Sequence, residues 1–254
     1  LSLVLPGTSQ AQAPQTPATV PTPPAAPRTA LMSLIGDSIM LAQHRDQTGT
    51  RMEPDARNII PITDTVFDNA AVQAANTALK RIEPSVQTVM MLTQDTGLYK
   101  AQNDMFDAVE ANKDNREFLK SLLKARNVDR LILVTKFRAD AQLKLANSYT
   151  GSGHIEGLGF YIDDALNVLD LGTRNTALGI LAPFAYVKLR LIDGKTLAVL
   201  AEKTVRQSHV VPNASATANG QYTWNILTGA QKIAYLDDLL GKAMDEGMPR
   251  LLAK

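Results

Sequence analysis

Apolar residues recur at helical spacing in three stretches of the chain. Residues 68–82 place them at intervals of three and four, with Asp68 as the expected N-cap, and residues 116–125 repeat leucines in the same way. Thr228 and Gln231 have the spacing of a capping box ahead of a third stretch, residues 233–243. The pattern predicts three amphipathic helices.

Short apolar runs alternate with the first two of these helices. Residues 86–93 (VQTVMMLT) and 128–137 (VDRLILVTKF) are predicted as buried strands. Residues 30–43 contain two apolar pieces around Gly36-Asp37 and are predicted as one bent strand or two short ones. The order strand, helix, strand, helix, strand favours parallel pairing under right-handed crossovers.

The C-terminal half shows a different pattern. Residues 185–192 (AYVKLRLI) alternate apolar and polar positions, Asp193-Gly194 follows, and a second extended stretch covers 196–205. This predicts a long, half-exposed antiparallel hairpin at one edge of the sheet. The expected fold class is α/β, leaning towards α+β, with a mixed sheet of about five strands, helices packed on it and a long C-terminal β-hairpin.

Residues 138–184 show little periodicity and are predicted as a long loop, which in a compact domain is usually functional or disordered. Phe160 and Tyr161 lie in it on a glycine-flanked segment, and Lys136 and Arg138 precede it. We expect these four residues to contact a partner protein or a second copy of the chain. The alternatives are that the two rings fold back onto the core and that the basic residues form a solvated face.

The first residues predict export from the cytoplasm. An apolar run at 1–5 followed by Ala11-Gln12-Ala13 is typical of the end of a signal peptide, with cleavage after Ala13. Residues 14–28 form a proline-rich linker. Residues 29–254 are predicted as a single domain, in the periplasm of a Gram-negative bacterium.

Composition excludes several functions. The chain has 26 basic and 25 acidic residues, so it has no field of one sign that would gather nucleic acid. It has no cysteine, which excludes disulfides, thiolate metal sites and thiol catalysis. Beyond the first residues no apolar run reaches the length of a membrane-spanning helix, about 20 residues.

One motif is compatible with catalysis. Gly36-Asp37-Ser38 follows an apolar strand, as the nucleophile does in GDS-type hydrolases, which makes Ser38 and Asp37 the candidates of a hydrolase alternative. That family pairs its serine with a histidine three residues after an aspartate near the carboxyl terminus, and no such pair exists here. The simpler interpretation is a turn, and no catalytic residue is predicted.

Neither a metal nor a cofactor is expected. His44, His154 and His209 lie far apart, and none has metal-ligand spacing to another histidine. A small-ligand binder remains a third possibility, which requires a deep apolar pocket with convergent polar groups.

Two segments resemble a group of bacterial envelope domains. Residues 129–135 (DRLILVT), and residues 187–196 (VKLRLIDGKT) with Leu200, are similar to a strand and a hairpin of the TolB amino-terminal domain, the curli-secretion channel protein and the lipoprotein activators of penicillin-binding proteins. The chain departs from them in lacking the lipid-anchoring cysteine and in having Lys136 in place of a glycine. The resemblance implies a non-enzymatic adaptor or assembly factor of the envelope, acting through protein–protein contacts.

Overall fold

The computed structural model describes residues 27–44, 56–169, 176–213 and 222–253. The predicted signal-peptide remnant and all but the end of the predicted linker lie outside these ranges. The described elements are β1 (Arg28–Ser33), β2 (Ser38–Gln43), β3 (Ala56–Pro61), α1 (Val66–Ile82), β4 (Gln87–Met91), α2 (Thr96–Ala101), α3 (Lys113–Ala125), β5 (Arg130–Lys136), β6 (Arg138–Asp140), β7 (Leu143–Lys144), β8 (Tyr149–Thr150), β9 (His154–Leu169), β10 (Thr176–Asp193), β11 (Val199–Ser208), β12 (Val211–Pro212), a 3-10 helix (Thr223–Ile226) and α4 (Gly229–Leu252).

The long strand β10 organises the sheet. Along one side, residues 176–186 pair with β9 and residues 187–193 pair with β5, both antiparallel. Along the other side it pairs with β11 and β12. Two half-sheets therefore meet at β10, one in the order β4-β1-β5 and the other in the order β3-β2-β9.

The first half-sheet confirms the predicted parallel pairing. β1 lies between β4 and β5 and is parallel to both. Successive residues of β1 face opposite cores, because Leu31 packs in the core that includes α1 and α4, whereas Ala30 and Met32 pack in the core that includes α2 and α3. Helices thus cover both faces of this half, and the predicted helices at α1, α3 and α4 are confirmed.

The second half-sheet corrects the prediction of a long loop at 138–184. Most of this stretch forms β9 and β10, which pair from Gly157–Tyr186 to Leu169–Thr176. Residues 157–163 are buried without interruption. A strand buried on both faces shows no apolar–polar alternation, and here Gly157 and Gly159 also interrupt the apolar run, so the sequence pattern did not reveal the strand.

The hairpin between β10 and β11 is confirmed, and β11 forms an edge among the described strands. Its first strand is not half-exposed, however, because β10 is the centre of the sheet and both Tyr186 and Arg190 are buried. The fold class is α/β with a mixed sheet, as predicted. The sheet has ten strands among the described residues rather than about five.

Candidate functional site

The turn at Gly36-Asp37 carries the chain from one half-sheet to the other. β1 ends at Ser33 beside β5, and β2 begins at Ser38 and pairs with β9. A side chain at Gly36 would place its Cβ 2.5 Å from Oδ2 of Asp68, so only glycine allows this close approach. The interpretation of residues 30–43 as two short strands around a turn is confirmed.

A buried carboxylate holds this turn in place. Oδ1 of Asp68 accepts hydrogen bonds from the hydroxyl of Ser33 at 2.6 Å and from the backbone N–H groups of Ile35 and Gly36 at 2.9 and 3.1 Å. Oδ2 accepts from the hydroxyl of Tyr99 at 2.5 Å. Burial raises the pKa of Asp68, against the opposing effect of these hydrogen bonds.

The prediction that Asp68 is an N-cap is wrong. The N-cap position of α1 is Thr65, and Asp68 lies in the first turn of the helix with its side chain fully buried. An acidic residue is favourable both at the N-cap and inside the first turn of a helix, so the sequence does not distinguish these two positions.

Ser38, Asp37 and Lys136 come together at this turn. Nζ of Lys136 lies 2.5 Å from Oδ1 of Asp37 and 2.6 Å from Oγ of Ser38, and the Ser38 hydroxyl is 3.3 Å from the same Asp37 oxygen. They line a depression of about 270 Å³, together with Lys100 and Glu156 among others. The two residues suggested for hydrolysis, Asp37 and Ser38, therefore form one cluster with Lys136, which is one of the four residues suggested for binding.

The cluster lacks the base that a nucleophilic serine requires. None of the three histidines lines the depression: Nδ1 of His44 contacts Oγ of Ser152, His154 pairs with Asp140, and His209 stacks on Tyr235. A lysine can replace histidine in such enzymes. Lys136 is ion-paired with Asp37, however, and an ammonium group donates hydrogen bonds without accepting a proton.

Phe160 and Tyr161, which were predicted to contact a partner, are buried in this structure. Their side chains are 2% and 0% exposed, because β9 packs them into the cores on opposite faces of the sheet. The alternative, that the rings fold back onto the core, is the one observed. Arg138 is exposed on β6, opposite Glu156 of β9 in the register.

Within the described ranges, no group of three or more histidine, aspartate or glutamate residues could hold a metal ion. No helix in the same ranges is long and apolar enough to cross a membrane. The small depression beside Ser38 is polar and does not match the deep apolar pocket expected of a small-ligand binder.

A second surface was missed by the sequence analysis. β11 pairs with no described strand other than β10, and depressions of about 420 and 650 Å³ lie along its outer side and its C-terminal end. We call these two depressions together the edge groove. Lys144 and Ser208 line both of them, and Tyr149, which is 68% exposed, lines the smaller one. The two-residue strands β7 and β8 beside it are too short to leave a sequence pattern.

No family model matches the chain, and no curated protein matches it. Solved structures that are similar over most of its length include the PelC dodecamer from Paraburkholderia phytofirmans, with 10% identity, 91% of this chain and 93% of that chain covered, and a TM-score of 0.34. A Xanthomonas campestris protein of the DUF330 family has 12% identity, coverages of 91% and 89%, and a TM-score of 0.36. Lipoprotein GNA1162 from Neisseria meningitidis has 10% identity, coverages of 88% and 96%, and a TM-score of 0.28. TM-scores of this size do not support the transfer of a function or an oligomeric state, and the resemblance to TolB-type domains stays a prediction.

Proposed function

We propose that this chain is a non-enzymatic protein of the bacterial cell envelope that binds another polypeptide, or a second copy of itself, through the β11 edge. The observation that carries the proposal is the edge groove. Residues from both faces of β11 line its smaller depression, including Arg206 on one face and Gln207 on the other. An edge strand offers unpaired backbone N–H and C=O groups, to which an extended segment adds as a further strand.

The edges at β3 and β4 support the proposal less well. β3 and β4 each pair with one described strand and carry exposed apolar residues, Ile59 on β3 and Met90 on β4. Ile59 lines the small polar depression beside Ser38, where Asp37 and Lys136 already pair with each other. The β11 edge is the one that combines a free strand with a large depression at its end.

Paired tyrosine variants of the full chain test this function. Tyr149→Ala removes an exposed ring from the groove, and Tyr222→Ala removes a ring that is 79% exposed outside it. We expect Tyr149→Ala alone to weaken self-association in light scattering or the retention of an envelope protein in a pull-down. A chain that stays monomeric and retains no partner, or two variants that behave alike, would contradict the proposal.

The hydrolase alternative has one observation in its favour, the short distance between Ser38 and Lys136. It predicts covalent labelling of the full chain by a fluorophosphonate probe and loss of the label in Ser38→Ala. We expect no labelling, because the ion pair with Asp37 keeps Lys136 from accepting the serine proton. Labelling that depends on Ser38 would replace the proposal with an enzymatic function.

The periplasmic location is part of the proposal and is supported by the Ala11-Gln12-Ala13 sequence. Amino-terminal sequencing of the protein from a periplasmic fraction tests it. We expect the mature chain to begin at Pro14, and recovery of an uncleaved chain from the cytoplasm would contradict the location.

A further inference from the structure

The edge groove has a fixed shape where its two depressions meet. The backbone N–H of Lys144 donates to Oγ of Ser208 at 3.0 Å, which holds the β7–β8 turn against the end of β11. Leu143 is fully buried, and it pairs with Thr150 in the antiparallel strand pair β7–β8. The wall of the groove that carries Lys144 is therefore anchored to the core rather than being a free loop.

The larger depression is suited to an apolar side chain. Its lining includes Leu145 from the β7–β8 turn, Val168 and Leu169 from the end of β9, and Val210 from the segment after β11. Its volume of about 650 Å³ lies within the range of ligand sites, which is about 300–1,000 Å³, and is ample for a bulky residue. Leu169 is exposed at the rim of this depression and adds apolar surface that a bound side chain would cover.

The charge of the groove favours an acidic partner. Lys144 lines both depressions, and its ammonium has no hydrogen-bond or ion-pair partner among the described residues. The carboxylate of the groove, Glu246, is already paired with Gln207 at 2.6 Å and with Arg250 at 2.7 Å. A carboxylate arriving from outside would therefore find a free cation rather than a free anion.

We propose that the edge groove takes an extended peptide segment that carries a carboxylate side chain for Lys144 and, close to it in sequence, a bulky apolar side chain for the larger depression. Side chains two positions apart in an extended chain point to the same side, so an apolar residue and an acidic residue at that spacing reach the two subsites together. This inference rests on the proposed function and specifies the partner of the same edge.

Three synthetic peptides test the specificity by fluorescence polarisation with the full chain. Each alternates threonine and valine around a central triplet, which is Leu-Ser-Asp, Leu-Ser-Lys or Ser-Ser-Asp. We expect the Leu-Ser-Asp peptide to bind about tenfold more tightly than the Leu-Ser-Lys peptide, because the charge at Lys144 changes from attractive to repulsive. Loss of the leucine should also weaken binding about tenfold, since a side chain of this size no longer enters the apolar depression.

A charge-reversal variant identifies the subsite. Lys144→Glu should invert the order of the Leu-Ser-Asp and Leu-Ser-Lys peptides, whereas Lys120→Glu on α3, outside the groove, should leave the order unchanged. An unchanged order in Lys144→Glu, or no binding of any peptide, would overturn the inference. If Tyr149→Ala still weakened partner binding in that case, the proposed function would stand without this partner. If Tyr149→Ala had no effect either, both would fall.

Discussion

At the scale of single residues, Asp68 connects three parts of the fold through one buried carboxylate. It reaches Ser33 at the end of β1, the backbone of the following turn and Tyr99 of α2. The Asp37-Ser38-Lys136 cluster depends on this turn for its position. Asp68 is thus a structural residue of the site, although it does not line the depression.

Replacing Asp68 should show this dependence in stability. Asp68→Ala leaves the Ser33 hydroxyl and two backbone N–H groups buried without an acceptor, and we expect a loss of about 3 kcal/mol or more in the free energy of unfolding. Asp68→Asn keeps an acceptor oxygen and should lose about 1 kcal/mol or less. Urea unfolding measures both, and equal losses in the two variants would show that the hydrogen bonds to the carboxylate do not hold the turn.

The pH dependence of stability gives a separate test of Asp68. Burial raises its pKa above the ordinary value of 3.8, so the folded protein holds this proton more tightly than the unfolded chain does. The resulting stabilisation is present below the unfolded pKa and is lost as the pH rises through the folded pKa. The difference in unfolding free energy between wild type and Asp68→Asn should therefore fall with rising pH across this window and then level off. A difference that rises over the same window would contradict the raised pKa.

At the scale of elements, Arg190 joins the hairpin to the segment after α2. Its side chain is 1% exposed, and its guanidinium donates to Glu202 of β11 at 2.8 Å and to the backbone carbonyl of Gln102 at 3.0 Å. The guanidinium also lies 5.4 Å from the centre of the Phe106 ring. The alternation of the strand assigns Arg190 to the solvent-facing side. In this fold it is instead a buried link between two elements.

Replacing Arg190 should lower the free energy of unfolding more than replacing Glu202. We expect Arg190→Met to lower the free energy of unfolding by about 3 kcal/mol, because Glu202 and the backbone carbonyls of Gln102 and Asn103 lose a buried donor. Glu202 is 40% exposed, so Glu202→Gln should cost about 1 kcal/mol, and Lys203→Gln on the same strand serves as the control. Urea unfolding of the three variants compares them, and an Arg190 variant as stable as the control would contradict the role of this link.

The same pair predicts a pH effect of opposite sign to that of Asp68. Burial would raise the pKa of Glu202, but the hydrogen bonds and charges of Arg190 and Lys188 together lower it. Its stabilisation is present above the unfolded pKa and is lost as the pH falls through the lowered folded value. Wild type should therefore lose its advantage over Glu202→Gln on acidification, which urea unfolding at a series of pH values measures. An advantage that grows on acidification would contradict the lowered pKa.

The three long helices and the short apolar strands β4 and β5 were predictable from sequence, whereas β9 was not. The helices α1, α3 and α4 show the periodicity of a half-buried helix, and the first strand of the β10–β11 hairpin alternates apolar and polar residues although both of its faces are buried. β9 lies between β2 and β10, and its sequence shows no such pattern. The contact between Ser38 and Lys136 joins residues 98 positions apart and follows from the pairing of the strands, which a single sequence does not specify.

At the scale of the whole molecule, β10 has partners on both sides along most of its length, whereas β3, β4 and β11 have one described partner each. Amides of β10 should therefore exchange with deuterium slowest, and those of the three edge strands faster.

Added Leu-Ser-Asp peptide should slow exchange in residues 199–208, because an incoming strand pairs with the free N–H groups of β11. β3 and β4 are internal controls, since general stabilisation of the fold would slow exchange at all three edges. Protection confined to β3 or β4 would show that the peptide binds at one of those edges, and it would contradict the role of β11.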